Sequence, residues 1–282
     1  MSNDAAPPAP YGTHRPTGAL AVWIWLTRNT WAGRGRLRRP LRNLLTRRPR
    51  PLDLDTWGLP MRLHAGATSC ETKVALAPRH YERAELDFLR GALARPGAVF
   101  LDVGANVGLY SFNLIGTLPH ALTIHAFEPQ PEMLARLHVS LALAADRMAA
   151  TGTSVRVHPY GLGPQAATME MVRPGGDYGS ASVFEAFSGE EGDRIAIEVR
   201  DVLAVFDELG LAGADAMKID IEGFEAQVLG PLIDHRPDAL PRAICIEHLA
   251  EKLWGRDLVG ELVALGYRKV GRERANTLLK RD

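Results

Sequence analysis

The chain is poor in cysteine, has no long apolar run and carries no excess of either charge. Two cysteines among 282 residues, Cys70 and Cys245, exclude a disulfide scaffold and a four-cysteine zinc site. The longest unbroken apolar run, Ala19 to Leu26, falls far short of the roughly 20 residues that cross a bilayer. That run also lacks the surroundings of a secretory signal. Asp4, Pro7, Pro8, Pro10 and a single arginine precede it, and no small-residue cleavage site follows, so a cytoplasmic address is expected. No tandem repeat is present. What remains, 46% hydrophobic and 23% charged, is the composition of a soluble globular protein long enough for one large domain or two small ones.

The neutral total conceals an asymmetry. Residues 1–60 hold ten arginines against Asp4, Asp53 and Asp55, a surplus of +7, which leaves the rest of the chain at −7. A mildly acidic body argues against nucleic acid as the main partner. Residues 1–50 read as a disordered, basic arm. Its first 17 residues contain four prolines and no apolar periodicity. Further on, Trp23, Trp25 and Trp31 stand beside eight arginines, from Arg34 to Arg50. Two readings stay open for residues 19–50: tryptophans packed on the body with solvated arginines, or docking to a membrane surface or protein partner. Leu37, Leu41, Leu44 and Leu45 share a helical face, with Pro40 breaking or beginning the helix.

From Pro51 the pattern becomes regular. Leu52 to His64 and Thr72 to Ala77 read as strands around an Ala65–Gly66 turn, and Tyr81 to Ala94 as a helix. After residue 98, apolar strands alternate with amphipathic helices. The strands are Val99–Val103, Thr123–Phe127, Val155–His158, Ala214–Ile221 and Ala243–Ile246, and Tyr267–Val270 with Thr277–Lys280 closes the chain. Repeated strand–helix units predict an α/β fold, Rossmann-like and doubly wound, with a mostly parallel seven-stranded sheet and an antiparallel C-terminal strand. The expected organisation is the arm, a small β extension with a helix over 51–98, and a catalytic domain over 99–282 with a hairpin inserted at 163–200. Asp201 is placed to cap the helix that follows the hairpin.

The strongest chemical signal is the segment from Val99 to Gly108, a buried strand running into a glycine turn that opens a helix. Such a turn brings backbone N–H groups close to a ligand. A dinucleotide fingerprint starting at Gly104 fails, because Asn106 and Leu109 occupy its second and third glycine positions. No phosphate-loop Gly-Lys-Ser/Thr run exists either. Asp102, just ahead of the turn, would repel a pyrophosphate and attract an ammonium-bearing ligand. S-adenosylmethionine, which has an amino acid end, a sulfonium and a ribose but no phosphate, meets these conditions. Glu128, twenty residues after Gly108 at the end of the second strand, is positioned to accept bonds from ribose hydroxyls. Asp102, Gly104, Asn106, Gly108 and Glu128 are therefore the cofactor-site candidates.

On the fourth strand, Lys218, Asp220 and Glu222 alternate with Ile219 and Ile221, so period two places the three polar residues on one side. A buried Lys218–Asp220 ion pair is the purely structural reading. The catalytic reading needs a group that takes the proton from an acceptor hydroxyl, and Glu222, then Asp220 and His248, are the candidates. Asp220, Glu222, Glu247 and His248 also offer oxygen and nitrogen ligands for a divalent metal, an alternative that spacing does not resolve. Asp177, Tyr178 and Ser180, in a glycine-rich loop, are candidates for the acceptor pocket.

These segments also resemble a known family. Asp102-Val-Gly-Ala-Asn-Val-Gly108, Phe127-Glu-Pro-Gln-Pro131, Met217-Lys-Ile-Asp-Ile-Glu-Gly223 and Ile246-Glu247 are similar to the motifs of FkbM-type methyltransferases. The likeness spans Tyr81 to Leu232 well and the C-terminal strands loosely. Tyr81-Glu82 resembles a family position that leads into the cofactor site. Asp177-Tyr-Gly-Ser-Ala-Ser182 is similar to a family loop that usually begins with Asn, so Asp177 departs from the pattern. The resemblance implies a class I S-adenosylmethionine-dependent enzyme that O-methylates a sugar or polyketide. The rival readings are a nicotinamide oxidoreductase and a catalytically silent cofactor- or glycan-binding partner docking through the basic arm.

Overall fold

The computed structural model describes residues 9–31, 38–174 and 192–281. In chain order, helices α1 (Gly18–Asn29) and α2 (Arg39–Arg47) lead to the hairpin strands β1 (Arg50–Thr56) and β2 (Leu59–Ala65), followed by α3 (Ser69–Leu76) and α4 (Arg83–Ala92). Then come β3 (Ala98–Val103), α5 (Leu109–Thr117), β4 (Leu122–Phe127), α6 (Pro131–Leu143), α7 (Ala145–Thr151) and β5 (Ser154–His158). A small unit of β6 (Gly161–Gly163), β7 (Ala167–Pro174) and β8 (Gly192–Asp201) precedes α8 (Val202–Leu209). The chain finishes with β9 (Ala216–Ile219), α9 (Glu225–His235), β10 (Ala243–Glu247), α10 (Leu258–Ala264), β11 (Arg268–Arg272) and β12 (Asn276–Lys280).

The central sheet has seven strands in the order β11-β12-β10-β9-β3-β4-β5. Strands β10, β9, β3, β4 and β5 are parallel, and β12 lies antiparallel to both of its neighbours. This is the mostly parallel, doubly wound sheet expected from the strand–helix alternation. Its central strands are apolar on both faces because helices cover both. Phe100, Ala216 and Cys245 pack with Phe112, Ile124 and Leu137 in one layer, while Leu101, Val103, Met217, Ile219 and Ile246 pack with Phe206, Leu229 and Leu262 in the other. The chain winds outward from β3 to β5 and then returns to place β9 against β3. The crevice at the carboxyl ends of β3 and β9 is thus the topological switch point, where ligands bind in sheets of this kind.

Three local expectations change. Thr72 to Ala77 is not a strand: Thr72 to Leu76 form the body of α3. The Thr68 side chain accepts from the Glu71 N–H at 3.1 Å, and its hydroxyl donates to the Glu71 carboxylate at 2.9 Å, a cap that starts the helix. The hairpin turn falls instead at Trp57–Gly58, both with positive φ. In the arm, the described residues 9–31 and 38–50 include α1 and α2 and contacts with the body. The Gly12 and His14 N–H groups donate to Asp53, whose carboxylate also pairs with Arg62 at 2.7 Å. Arg62 in turn donates to the Ala9 and Pro10 carbonyls.

Pro40 begins α2, and Leu41 and Leu45, one turn apart, are fully buried, whereas Leu44 is exposed. The tryptophans do not pack as the first reading of the arm required. Ile24 and Thr27 turn inward from α1, while Trp23, Trp25 and Trp31 remain 36%, 59% and 75% exposed. No helix among the described residues is long and apolar enough to cross a membrane. In the inserted unit, β7 and β8 pair antiparallel, and Asp201 accepts from the Ala204 N–H to cap α8.

Candidate active site

A cavity of about 350 Å³ opens above the carboxyl ends of β3, β4, β9 and β10. Five carboxylates line it, Glu82, Glu128, Asp220, Glu222 and Glu247, against two lysines, Lys73 and Lys218. Its backbone is under local strain. Four described non-glycine residues have positive φ: Trp57 in the hairpin turn, and Glu82, Asn106 and Glu222, all three on the cavity wall. Left-handed conformations at such residues cost about 1–2 kcal/mol each and cluster at functional sites.

The turn after β3 is built by two glycines with different jobs. Gly104 has φ +74°, and a Cβ there would lie 2.0 Å from the Asp220 carbonyl oxygen. It therefore makes room for the chain leaving β9 while still lining the cavity. Gly108, expected at the ligand, is not on the cavity wall. A Cβ on it would meet Leu137 at 2.5 Å and Phe112 at 2.7 Å, so its role is the packing of α5 against α6.

Between these glycines, the Asn106 N–H donates to one Glu128 oxygen at 2.7 Å, and the Gln130 N–H to the other at 2.8 Å. Both bonds fix the carboxylate at the mouth of β4 and leave each oxygen a further acceptor site. Burial pushes the Glu128 carboxyl up to about 7, although those N–H groups favour its charged form.

Asp102 corrects an expectation. It is buried but does not line the cavity. On β3 it lies in register beside Lys218 of β9, and its carboxylate accepts from the Ser111 hydroxyl at 2.6 Å. The ammonium near it is the protein's own. Lys218 reaches the Gly104 carbonyl at 3.1 Å and Asp220 at 3.2 Å, which combines the structural and the site readings of that lysine. The neighbouring carboxylates of Asp220 and Asp102 hold Lys218 charged against the cost of its burial.

Strand β9 ends at Ile219, two residues earlier than the alternation predicted. Asp220 follows directly, and Glu222 sits in a turn with φ +52°, so both reach the cavity through different geometry. On β10, Glu247 faces the cavity. Burial, then the charges of Asp220, Glu222 and Glu225, push its carboxyl up to about 10, so it is protonated at neutral pH. The next residue turns away from the cavity. His248 contacts the Thr277 hydroxyl through Nδ1 at 3.1 Å and does not line the cavity. The four candidate metal ligands thus do not converge. Among the described residues no group of three or more His, Cys, Asp or Glu side chains is placed to hold a metal ion. Asp177, Tyr178 and Ser180 lie outside the described residues.

Two wall residues escaped the sequence reading. The Gln130 Oε1 and Asn276 Oδ1 atoms are buried without a partner, as is Glu247 Oε2. Asn276 arrives only because β12 pairs antiparallel with β10 and sets it opposite Glu247. Unpaired buried acceptors are costly, and a ligand with hydrogen-bond donors would satisfy them.

Sheet order, switch-point cavity and acidic wall define a Rossmann-like enzyme site. Residues 102–267 match the methyltransferase FkbM domain model. The chain is 31% identical over 232 residues to the 31-O-demethyl-FK506 methyltransferase FkbM of Streptomyces tacrolimicus, covering 73% of this chain and 85% of that protein. It is 30% identical over 171 residues to the AMB antimetabolite synthetase AmbE of Pseudomonas aeruginosa, covering 51% of this chain and 8% of that protein. Among solved structures, the methyltransferase FkbM from Methylobacillus flagellatus is similar at 18% identity with a TM-score of 0.42, over 86% of this chain and 58% of that one. The chain belongs to the FkbM methyltransferase family.

Proposed function

We propose that this chain uses S-adenosylmethionine to O-methylate a small acceptor, a sugar or another secondary metabolite. When bound, S-adenosylmethionine supplies an electrophilic methyl group on a cationic sulfur. The observation that carries this reading is the sign of the cavity. With Glu247 protonated, the four other carboxylates against two lysines favour a cationic ligand without phosphate and disfavour the pyrophosphate of a nicotinamide dinucleotide. Glu128, held by two N–H groups, keeps acceptor sites for two ribose hydroxyls. The Streptomyces tacrolimicus relative is named for methylation at an oxygen, which supports a hydroxyl acceptor. The address is read as cytoplasmic, with the exposed tryptophans of α1 free for a peripheral contact.

Three wall carboxylates are candidates for the proton work. Burial and the neighbouring carboxylates push the Glu247 carboxyl up, so it holds its proton instead of taking one from the acceptor. Asp220 is held by Lys218 at 3.2 Å. Glu222 takes the acceptor's hydroxyl proton as general base, and orientation of the reactants in the cavity supplies much of the remaining acceleration. The test is Glu222→Gln assayed with radiolabelled S-adenosylmethionine and a library of sugars and metabolite alcohols. Turnover should fall by about 10²–10⁴-fold while S-adenosylhomocysteine binds as before. Full activity in this variant would remove Glu222 as the base.

A further inference from the structure

A second cavity, of about 330 Å³, borders the first. Its wall draws Arg38 and Arg42 from the start of α2, Lys73 from α3 and Arg274 from the turn between β11 and β12, and no carboxylate lines it. Among the described residues, Lys73 is the one member of this set with an ion pair, to Glu82 at 3.5 Å, and that pair is solvent-exposed. Three arginines with no ion pair among the described residues, beside the paired Lys73, create a positive potential that an anion would neutralise. Arginine forks suit phosphoryl oxygens, which they bind in pairs of parallel bonds.

The two cavities are adjacent. Ser69 and Lys73 line both, and Ala275 on the wall of the acidic cavity follows Arg274 on the wall of the basic one. A molecule reaching over Ser69 and Lys73 would place its hydroxyl beside Glu222 and an anionic group among the arginines. We infer that the basic cavity binds a phosphoryl group carried by the acceptor, so that the substrate class is a phosphorylated alcohol. This rests on the methyltransferase reading for the hydroxyl end, while the anion site stands on its own residues.

The test is calorimetry on the full chain at low ionic strength with inorganic pyrophosphate as probe, beside Arg42→Ala/Arg274→Ala. Both side chains are exposed, so the double variant should fold. The expected result is one pyrophosphate site that weakens at least about tenfold in the variant, with S-adenosylhomocysteine affinity unchanged. Pyrophosphate should also bind when S-adenosylhomocysteine saturates the acidic cavity. No pyrophosphate binding, binding that the variant retains, or competition between the two ligands would each overturn the inference. A parallel arm sediments the protein with phosphatidic acid vesicles. Arginine-dependent binding to vesicles without binding to free pyrophosphate would assign the basin to a lipid headgroup and overturn the acceptor reading. Intact pyrophosphate binding with no S-adenosylhomocysteine binding would uphold the anion site and sink the methyl-donor reading instead.

Discussion

Two cavities that share a wall have opposite charge. The one above the sheet is lined by five carboxylates and two lysines, and the one beside it by three arginines and one lysine, with no acid. They also differ in construction. The acidic groups project from strand ends and the turns that follow them. Buried backbone N–H groups fix Glu128, Lys218 holds Asp220, and burial holds Glu247 neutral. The basic groups stand on exposed helix and turn positions. Chemistry needs preorganised groups that resist solvent, whereas recognition of an anion works with solvated arginines. The sheet's switch point supplies the first kind of site, and the N-terminal helices with the β11–β12 turn supply the second.

The comparison can be broken from the acidic side first. Gly104→Ala drives a methyl group into the Asp220 carbonyl in a left-handed turn, and it should cost about 3–5 kcal/mol in urea denaturation. Gly152→Ala, also at φ +74° but with only the Ala121 methyl at 3.6 Å, should cost about 1 kcal/mol. Equal losses would mean that the close approach of β3 and β9 does not organise the acidic wall. A smaller effect is expected from Glu128→Gln. An amide there opposes a donor to one of the two N–H groups, and S-adenosylhomocysteine should bind about 10–100-fold more weakly by calorimetry. Normal affinity would free Glu128 from the ribose assignment.

The smallest effect is a pH dependence. The Glu128 carboxyl is raised from 4.5 to about 7 in the folded chain, with Lys218 lowering it and Asp102 raising it within a shift dominated by burial. Its contribution to stability is therefore full below pH 4.5 and lost as pH rises to 7. Ligand binding runs the other way, because the charged form accepts hydroxyl bonds more strongly. Affinity for S-adenosylhomocysteine should rise a few-fold between about pH 6 and pH 8 in the wild-type chain and stay flat in Glu128→Gln. A wild-type profile as flat as the variant's would remove Glu128 as the titrating group.

Much of this was legible in the residues. Repeated strand–helix units predicted the parallel sheet, and Glu128 at the second strand end, expected at the ligand, lies on the cavity wall. What the sequence hid is whatever depends on direction at a chain turn. Period two assigned Glu222 correctly to the cavity by a strand that stops at Ile219. It could not tell that Asp102 is covered by Ser111 and Lys218, or that His248 turns toward Thr277 when Glu247 turns inward. Thr68-Ser-Cys-Glu71 has the spacing of a helix cap, a signal that the strand reading of Thr72 to Ala77 did not use. Arg274 lies more than 230 residues from Arg38 and Arg42, so the basic cavity had no local signal at all.

The central claim is that the switch-point cavity selects its ligand by charge, and paired calorimetric titrations with S-adenosylmethionine and NADH test it most directly. The account predicts one site for S-adenosylmethionine at this cavity, and NADH at saturating concentration leaves that site's heat of binding unchanged. A chain that binds NADH at this cavity and leaves S-adenosylmethionine free would contradict it.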